Sequence, residues 1–274
     1  MFTIKRISFL KYRKIYYIVF SSLIILGLAA GFIRGFNYGI DFTGGTMLQL
    51  EMGREVSVSE IDRVLKTNDI EADIVHAGEM NSQVIIRTVQ ALDTAAREEL
   101  LSDLLTEFNL PDDAVMTIEQ FGPSVGDMLK KNAVKAVIIA SLGILIYIIV
   151  RFEWKFGLAA IISVIHDVLI LIAFYGFFGI SINNPFIAAV LTLVGYSVND
   201  TVVVFDRIRE NLNIMKKNKL EELVDTSINQ TLVRSLMTSV TTIVAIIPLF
   251  ILGGDIIRQF TLPLVVGIAA GALS

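Results

Sequence analysis

The 274 residues contain no cysteine. That excludes disulfides and thiolate-held metals, and it removes the usual clue to redox compartment. Two histidines, His76 and His166, are too few for a histidine-built metal cluster. Charge is scarce as well, at 18% Asp, Glu, Lys and Arg. No HExxH, Walker A, GxSxG or kinase-type set occurs, so the common hydrolase and phosphoryl-transfer signatures are absent, and no cofactor is implied. What the chain has in quantity is apolar sequence, 54% of residues with a mean hydropathy of +0.68. That composition reads as an integral membrane protein.

A membrane-crossing helix needs about 20 apolar residues. Six runs qualify: Ile15–Ile33, Ala133–Val150, Gly157–Phe178, Phe186–Phe205, Leu236–Leu252 and Ile256–Ser274. Lys11, Arg13 and Lys14 precede the first, as they would a signal peptide. The apolar stretch is longer than a signal core, so a retained span is the stronger reading. Basic residues set the sides. Lys5, Arg6, Lys11, Arg13 and Lys14 lie in an amphipathic N-terminus (residues 1–14), Arg151 and Lys155 between runs two and three, and Arg207, Arg209, Lys216, Lys217 and Lys219 between runs four and five. Gly179–Pro185 and Gly253–Asp255 carry no Lys or Arg. Both ends of the chain are therefore expected in the cytoplasm. The last run stops abruptly at Ser274, which reads either as a truncation or as an unusual end.

The one large external segment is residues 35–132, with 18 acids against 7 bases. Such a surface does not suit nucleic acid and is better read as a solubilising face than as a cation site. Its pattern is regular. Thr46–Met52 alternates as a strand, and Ser57-Val58-Ser59-Glu60 opens a helix with a capping box. Ala72–His76 and Gln83–Arg87 alternate around an Asn81-Ser82 turn. Ala91–Asn109 is helical in period, and Val115–Gln120 reads as a last strand. The order βαββαβ predicts an α+β ferredoxin-like domain inserted after the first span. That fold names no chemistry. His76 is read as a strand-end residue rather than a ligand. Gly44-Gly45 is followed by Thr46 and a strand, not by the Lys-Ser/Thr and helix of a phosphate loop, so the glycines are expected to supply a positive-φ turn between membrane and domain.

Ionisable residues inside apolar runs mark function or an interhelical pairing. Asp167 falls near the middle of the third run beside His166, about 100° apart on a helix. In the fourth, Asp200 follows Asn199 and shares a face with Tyr196, with Ser197 nearby. At the fifth, Arg234 stands at the expected cytoplasmic mouth and shares one stripe with Thr238 and Thr241/Thr242, with Ser235 and Ser239 on the next. Ser and Thr also serve simply to let helices pack closely. An Arg moving near a poorly solvated Asp changes the proton affinity of that Asp. This is the minimal equipment for coupling proton flow to motion. A facing pair of aspartates would suit an intramembrane protease, but Asp167 and Asp200 lie at different depths with no catalytic signature around them.

Three stretches, Phe36–Thr46 (FNYGIDFTGGT), Gly195–Asn211 (GYSVNDTVVVFDRIREN) and Arg234–Gly254 (RSLMTSVTTIVAIIPLFILGG), together resemble the SecF family, the smaller partner of SecD in bacterial protein export. The arrangement is also similar to one half of a resistance–nodulation–division transporter, whose two six-span halves face each other. The resemblance implies a multi-pass protein of the bacterial cytoplasmic (inner) membrane that uses the proton motive force to promote preprotein export. Its implied partners are SecD as the complementary half, the SecYEG channel, unfolded preprotein and protons. By the same resemblance Asp200 and Arg234 belong to the proton-conducting region, with Asn199, Ser197 and Thr238 expected to hydrogen-bond the carboxylate or an access water. Asp167 and His166 are of second rank, and Gly39, Asp41, Gly44 and Gly45 form the motif turn. SecF proteins usually continue past Gly267–Ser274. The alternatives are a small-molecule or lipid exporter of the same superfamily, for which one domain of about 98 residues is a poor binding region, and a purely structural assembly subunit.

Overall fold

The computed structural model describes residues 7–214 and 220–273. Lys5, Arg6, Lys216, Lys217, Lys219 and Ser274 lie outside the described residues. Five helices are long and apolar enough to cross a membrane. They are α1 (Phe9–Arg34), α5 (Pro123–Arg151), α6 (Trp154–Phe178), α7 (Asn184–Ile214) and α8 (Leu220–Leu252). A sixth, α9 (Asp255–Gly271), is apolar but shorter. Between α1 and α5 come a single-turn helix, α2 (Ile40–Thr43), and then β1 (Gly45–Glu51), α3 (Val58–Thr67), β2 (Asp73–Ala77), β3 (Gln83–Thr88), α4 (Thr94–Glu107) and β4 (Val115–Phe121).

The strands form one antiparallel sheet in the order β2-β3-β1-β4. Alternation in β1 sends Leu48 and Leu50 to the same side as Val84 and Ile86, where Ile61 and Leu65 of α3 and Leu100 and Leu104 of α4 complete a core. The expected capping box is present: Ser57 Oγ accepts from the Glu60 amide and Glu60 Oε2 accepts from the Ser57 amide. His76 Nε2 donates to the Val56 carbonyl at 2.6 Å, a structural bond. The other face of the sheet looks toward the helix bundle. Its row Asp73, Arg87, Met47, Glu119 overhangs the helix ends across a cleft of about 730 Å³ floored by Asn37, Asn183 and Gln259.

The motif turn behaves as read. Gly44 has φ 80 and Gly45 φ 144, and a Cβ on Gly45 would stand 2.1 Å from the Thr88 carbonyl oxygen. The residues before it belong to the helix bundle rather than to the sheet domain. Phe42 is buried in the bundle core, and Tyr38 forms a parallel bridge with Ile182.

A separate core, with Leu171, Tyr175, Ala189, Leu193, Val194, Leu264 and Ile268, fills the bundle. Two contacts fix α1. Along its middle it lies on α6 at glycine contact, where a Cβ on Gly27 would meet the Ala173 carbonyl oxygen at 2.3 Å. At the end away from the sheet, Asp225 Oδ1 accepts from the Leu10 amide, Arg13 pairs with Glu221 at 3.0 Å, and Asn229 exchanges two bonds with the Ile7 backbone. The outer flanks of α5 and α8 stay largely exposed and apolar, for example Ile139, Ile146, Val240 and Val244. That surface suits lipid or another helix bundle.

The α1–α6 contact leaves no room for a side chain. Gly27→Ala is expected to lower stability by about 1–3 kcal/mol through overpacking. Gly143→Ala on α5, where nothing lies within 4 Å of the added carbon, is expected to be neutral or slightly stabilising. Thermal unfolding of the two variants in detergent checks the contrast.

Candidate functional site

The polar residues of the bundle fall into two groups. The first surrounds Asp167, at the middle of α6 and only 1% exposed. Ser197 Oγ of α7 donates to its Oδ2 at 2.6 Å, and His166 Nδ1 lies 3.2 Å from its Oδ1. Gly271 of α9 closes the other side, where a Cβ would stand 3.3 Å from Oδ2. His166 turns the opposite way and packs its ring on Tyr16 and Phe20 of α1. The Tyr16 hydroxyl in turn donates to the Leu273 carbonyl. Asp167 and His166 thus face different neighbours, as their helical offset requires, yet touch each other. An acid this deep is tolerated because its oxygens have partners. The group ties α6 to α1, α7 and α9.

The second group lies between α7 and α8. Asp200 is half-buried, Asn199 next to it is exposed, and Arg234 of α8 is exposed. No ion pair joins Arg234 to Asp200 among the described residues. The reason is register. The Tyr196 hydroxyl donates to Thr242 Oγ1 at 3.4 Å, and Asn211 Nδ2 donates to Ser227 Oγ at 2.8 Å. The two contacts are fifteen residues apart on both helices, so the helices run antiparallel without slippage. In that register Asp200 is level with Thr238, and Arg234 stands four residues lower, roughly 6 Å. The expected pair is therefore staggered by one turn.

Two expectations are corrected. Ser197 does not serve Asp200, because its hydroxyl is committed to Asp167. Thr238 does not reach the carboxylate either. Its hydroxyl donates to the Arg234 carbonyl at 2.8 Å, and Thr241 and Thr242 bond their own helix in the same way. A hydroxyl on a helix finds the carbonyl four residues back without reorganisation. On the adjoining stripe, the buried hydroxyls of Ser235 and Ser239 have no partner among the described residues.

The residues that set the register escaped notice in the sequence. Asn211 is 5% exposed and donates to both Ser227 and Gln230, and Gln230 also accepts from Arg207 Nε at 2.6 Å. Asp206 sits between Arg151, at 3.7 Å, and Arg209, at 3.3 Å, and so ties the end of α5 to α7. The run DRIREN that marked the family is a structural lock below Asp200. The readable signal was spacing. Asn211 follows Asp200 by eleven residues, three helical turns on one face. At the other end of α7, Asp41 of the motif turn accepts from the Asn184 amide at 2.8 Å, and Asn183 Oδ1 from the Phe186 amide at 3.0 Å.

Asn211→Ala removes both donated bonds from a buried site. It is expected to destabilise the α7–α8 hairpin by about 1–3 kcal/mol and to loosen the register. Thermal unfolding of the variant in detergent, beside the parent chain, checks the loss of stability.

Comparison with known proteins agrees with this architecture. The family described as protein export membrane protein SecD/SecF, C-terminal, matches residues 101–274, and the SecD/SecF GG motif matches residues 29–56. Protein translocase subunit SecF of Sebaldella termitidis is 38% identical over 274 residues, covering 98% of this chain and 88% of that protein. Subunit SecF of Haemophilus influenzae is 37% identical, with 97% and 82% covered. Subunit SecDF of Thermus thermophilus is 41% identical over 94% of this chain, which spans only 36% of that longer protein. The crystal structure of SecDF, a translocon-associated membrane protein from Thermus thermophilus, superposes with a TM-score of 0.85 at 38% identity, over 98% of this chain and 37% of that one. The chain is a multi-pass membrane protein and belongs to the SecF family of protein translocase subunits.

Proposed function

We propose that this chain is the proton-responsive half of a two-part export motor. It works with a SecD half, beside a SecYEG channel, to draw or release unfolded preprotein on the outer side of the bacterial cytoplasmic membrane. The observation that carries the reading is the Asp200–Arg234 arrangement: an acid and a base on facing helices, one turn apart, beside an exposed flank. Asp200 takes up and releases a proton. Arg234 is long enough to rise toward it or to withdraw, and either movement changes how strongly the carboxylate holds its proton. Exposed Asn199 points where a second half would line the path, and Asp167 with His166 holds the helices that frame it. The SecDF relative, which carries a region like this chain within a longer protein, supports a SecD half as the occupant of the open flank.

In this reading α9 is the sixth span. Its apolar portion, Ile257–Gly271, is fifteen residues long and includes Arg258 and Gln259, amounting to about 22 Å, short of a full crossing. Leu264 and Ile268 are nonetheless buried in the bundle core. The basic residues of the N-terminus and of the α7–α8 region favour a cytoplasmic placement for that end, with residues 35–132 outside. The strand order β2-β3-β1-β4 with α3 and α4 on one face supports naming the external part ferredoxin-like, with residues 1–14, 15–33 and 133–274 as N-terminus, first span and remaining spans.

Asp200→Asn is expected to preserve assembly with SecD and to reduce proton-driven export to the level of cells lacking the chain, with Arg234→Gln doing the same. Export of a secretory precursor after depletion of the native subunit, alongside co-purification with SecD, checks both. Normal export in either variant would leave a purely structural subunit as the better account.

A further inference from the structure

The glycine motif has no role in the proton reading, yet its acid reaches into the helix that carries Asp200. Asp41 lies in the single turn α2, and its Oδ2 accepts from the Asn184 amide, 143 residues away in sequence and the first residue of α7. A helix start leaves up to four amides without intrahelical partners. Here Asn184 is served by Asp41, Pro185 has no N–H, Phe186 is served by Asn183 Oδ1 at 3.0 Å, and Ile187 by the Asn183 carbonyl at 3.3 Å. The carboxylate therefore completes the cap and adds favourable charge at the positive end of the helix.

The contact does not stand alone. Gly39 N donates to the Ile182 carbonyl, and Ile182 N to the Asn37 carbonyl, each at 2.8 Å. Phe42 is buried in the bundle core, and its backbone lies so close to α5 that a Cβ on Gly126 would meet the Phe42 carbonyl oxygen at 2.5 Å. Immediately after this anchored turn the chain passes through Gly44 and Gly45 into β1, the inner strand that pairs with both β3 and β4. Strand β1 is thus joined to the start of α7 by a short, hydrogen-bonded segment.

We propose that Asp41 is a positioning residue that couples α7 to the external domain, so that the two move as one body. Asp200 lies sixteen residues into α7, about 24 Å from the cap, along a continuous helix. A displacement of α7 at Asp200 reaches β1 through the Asp41 cap and the bridge of Tyr38 with Ile182. This inference rests on the export reading for its consequence, whereas the coupling itself is a property of the junction and is measured separately.

The test uses the full chain with its SecD partner. Spin labels at Ser102→Cys, exposed on α4, and Asn213→Cys, exposed near the end of α7, report the distance between the external domain and that helix. Asp41→Ala is expected to broaden the distance distribution and to lower proton-driven export by about tenfold. Asp41→Asn, which keeps an acceptor oxygen, restores the narrow distribution and most of the export. In a chain without spin labels, Tyr38→Cys with Ile182→Cys places two thiols at bridged positions. Oxidation of that pair leaves export intact in the native background and rescues it in Asp41→Ala; reduction abolishes the rescue. A narrow distribution in Asp41→Ala overturns the proposal, as does undiminished export in Asp41→Ala where Asp200→Asn abolishes export, or loss of export when the junction is locked. If Asp41→Ala does not accumulate, the oxidised pair in the native background decides alone. Failure of the export reading has a different signature: Asp200→Asn exports normally while Asp41→Ala still broadens the distance.

Discussion

The antiparallel register of α7 against α8 is the constraint on which the candidate site depends. It is held below Asp200 by a small buried network, Asn211 with Ser227 and Gln230, joined by Arg207. Hydrogen bonds of this kind contribute modestly to stability, but shifting them leaves buried donors and acceptors unmet. The network thereby favours one alignment over its neighbours. That alignment keeps Asp200 and Arg234 one helical turn apart and out of direct contact. A settled ion pair would hold the carboxylate charged. A one-turn stagger leaves it responsive to a movement that a single arginine side chain can make.

The two acids in the bundle divide the work according to surroundings. Asp167 is enclosed, with a serine, a histidine and the backbone of α9 around it. Asp200 is half-buried, and its surroundings are open toward the flank. The same side chain therefore joins helices in one place and awaits a further wall in the other. On α8 the hydroxyls divide as well: Thr238, Thr241 and Thr242 are satisfied by their own helix, whereas Ser235 and Ser239 have no partner among the described residues.

Much of this was legible in the sequence because the governing patterns are local. Period-two alternation located β1 to β4, and the capping box at Ser57 located α3. Long apolar runs located the bundle, and the glycine pair located the turn into the sheet domain. Helix ends were less legible. Helices α7 and α8 run on past their apolar portions to Ile214 and from Leu220, where polar residues pair with each other instead of with water. Ser197 was assigned to Asp200 from its position on the same helix, whereas its partner belongs to α6, a choice that depends on which face packs inward. The role of Asp41 was invisible for the same reason, because its partner amide is fixed only by the folded chain. Contacts at long sequence separation leave no periodic trace.

The open flank has a consequence for the cell as well as for the site. An exposed amide, Asn199, lies within the fourth apolar run on a surface that lipid tails would cover if no other protein did, with Arg234 just outside the fifth run beside it. Leaving such an amide unpaired in hydrocarbon costs free energy. A lone copy therefore carries an intrinsic penalty that disappears on pairing. Under the two-half reading proposed above, that penalty favours supply of the two halves in matched amounts. In SecDF of Thermus thermophilus a region like this chain is already part of one longer polypeptide.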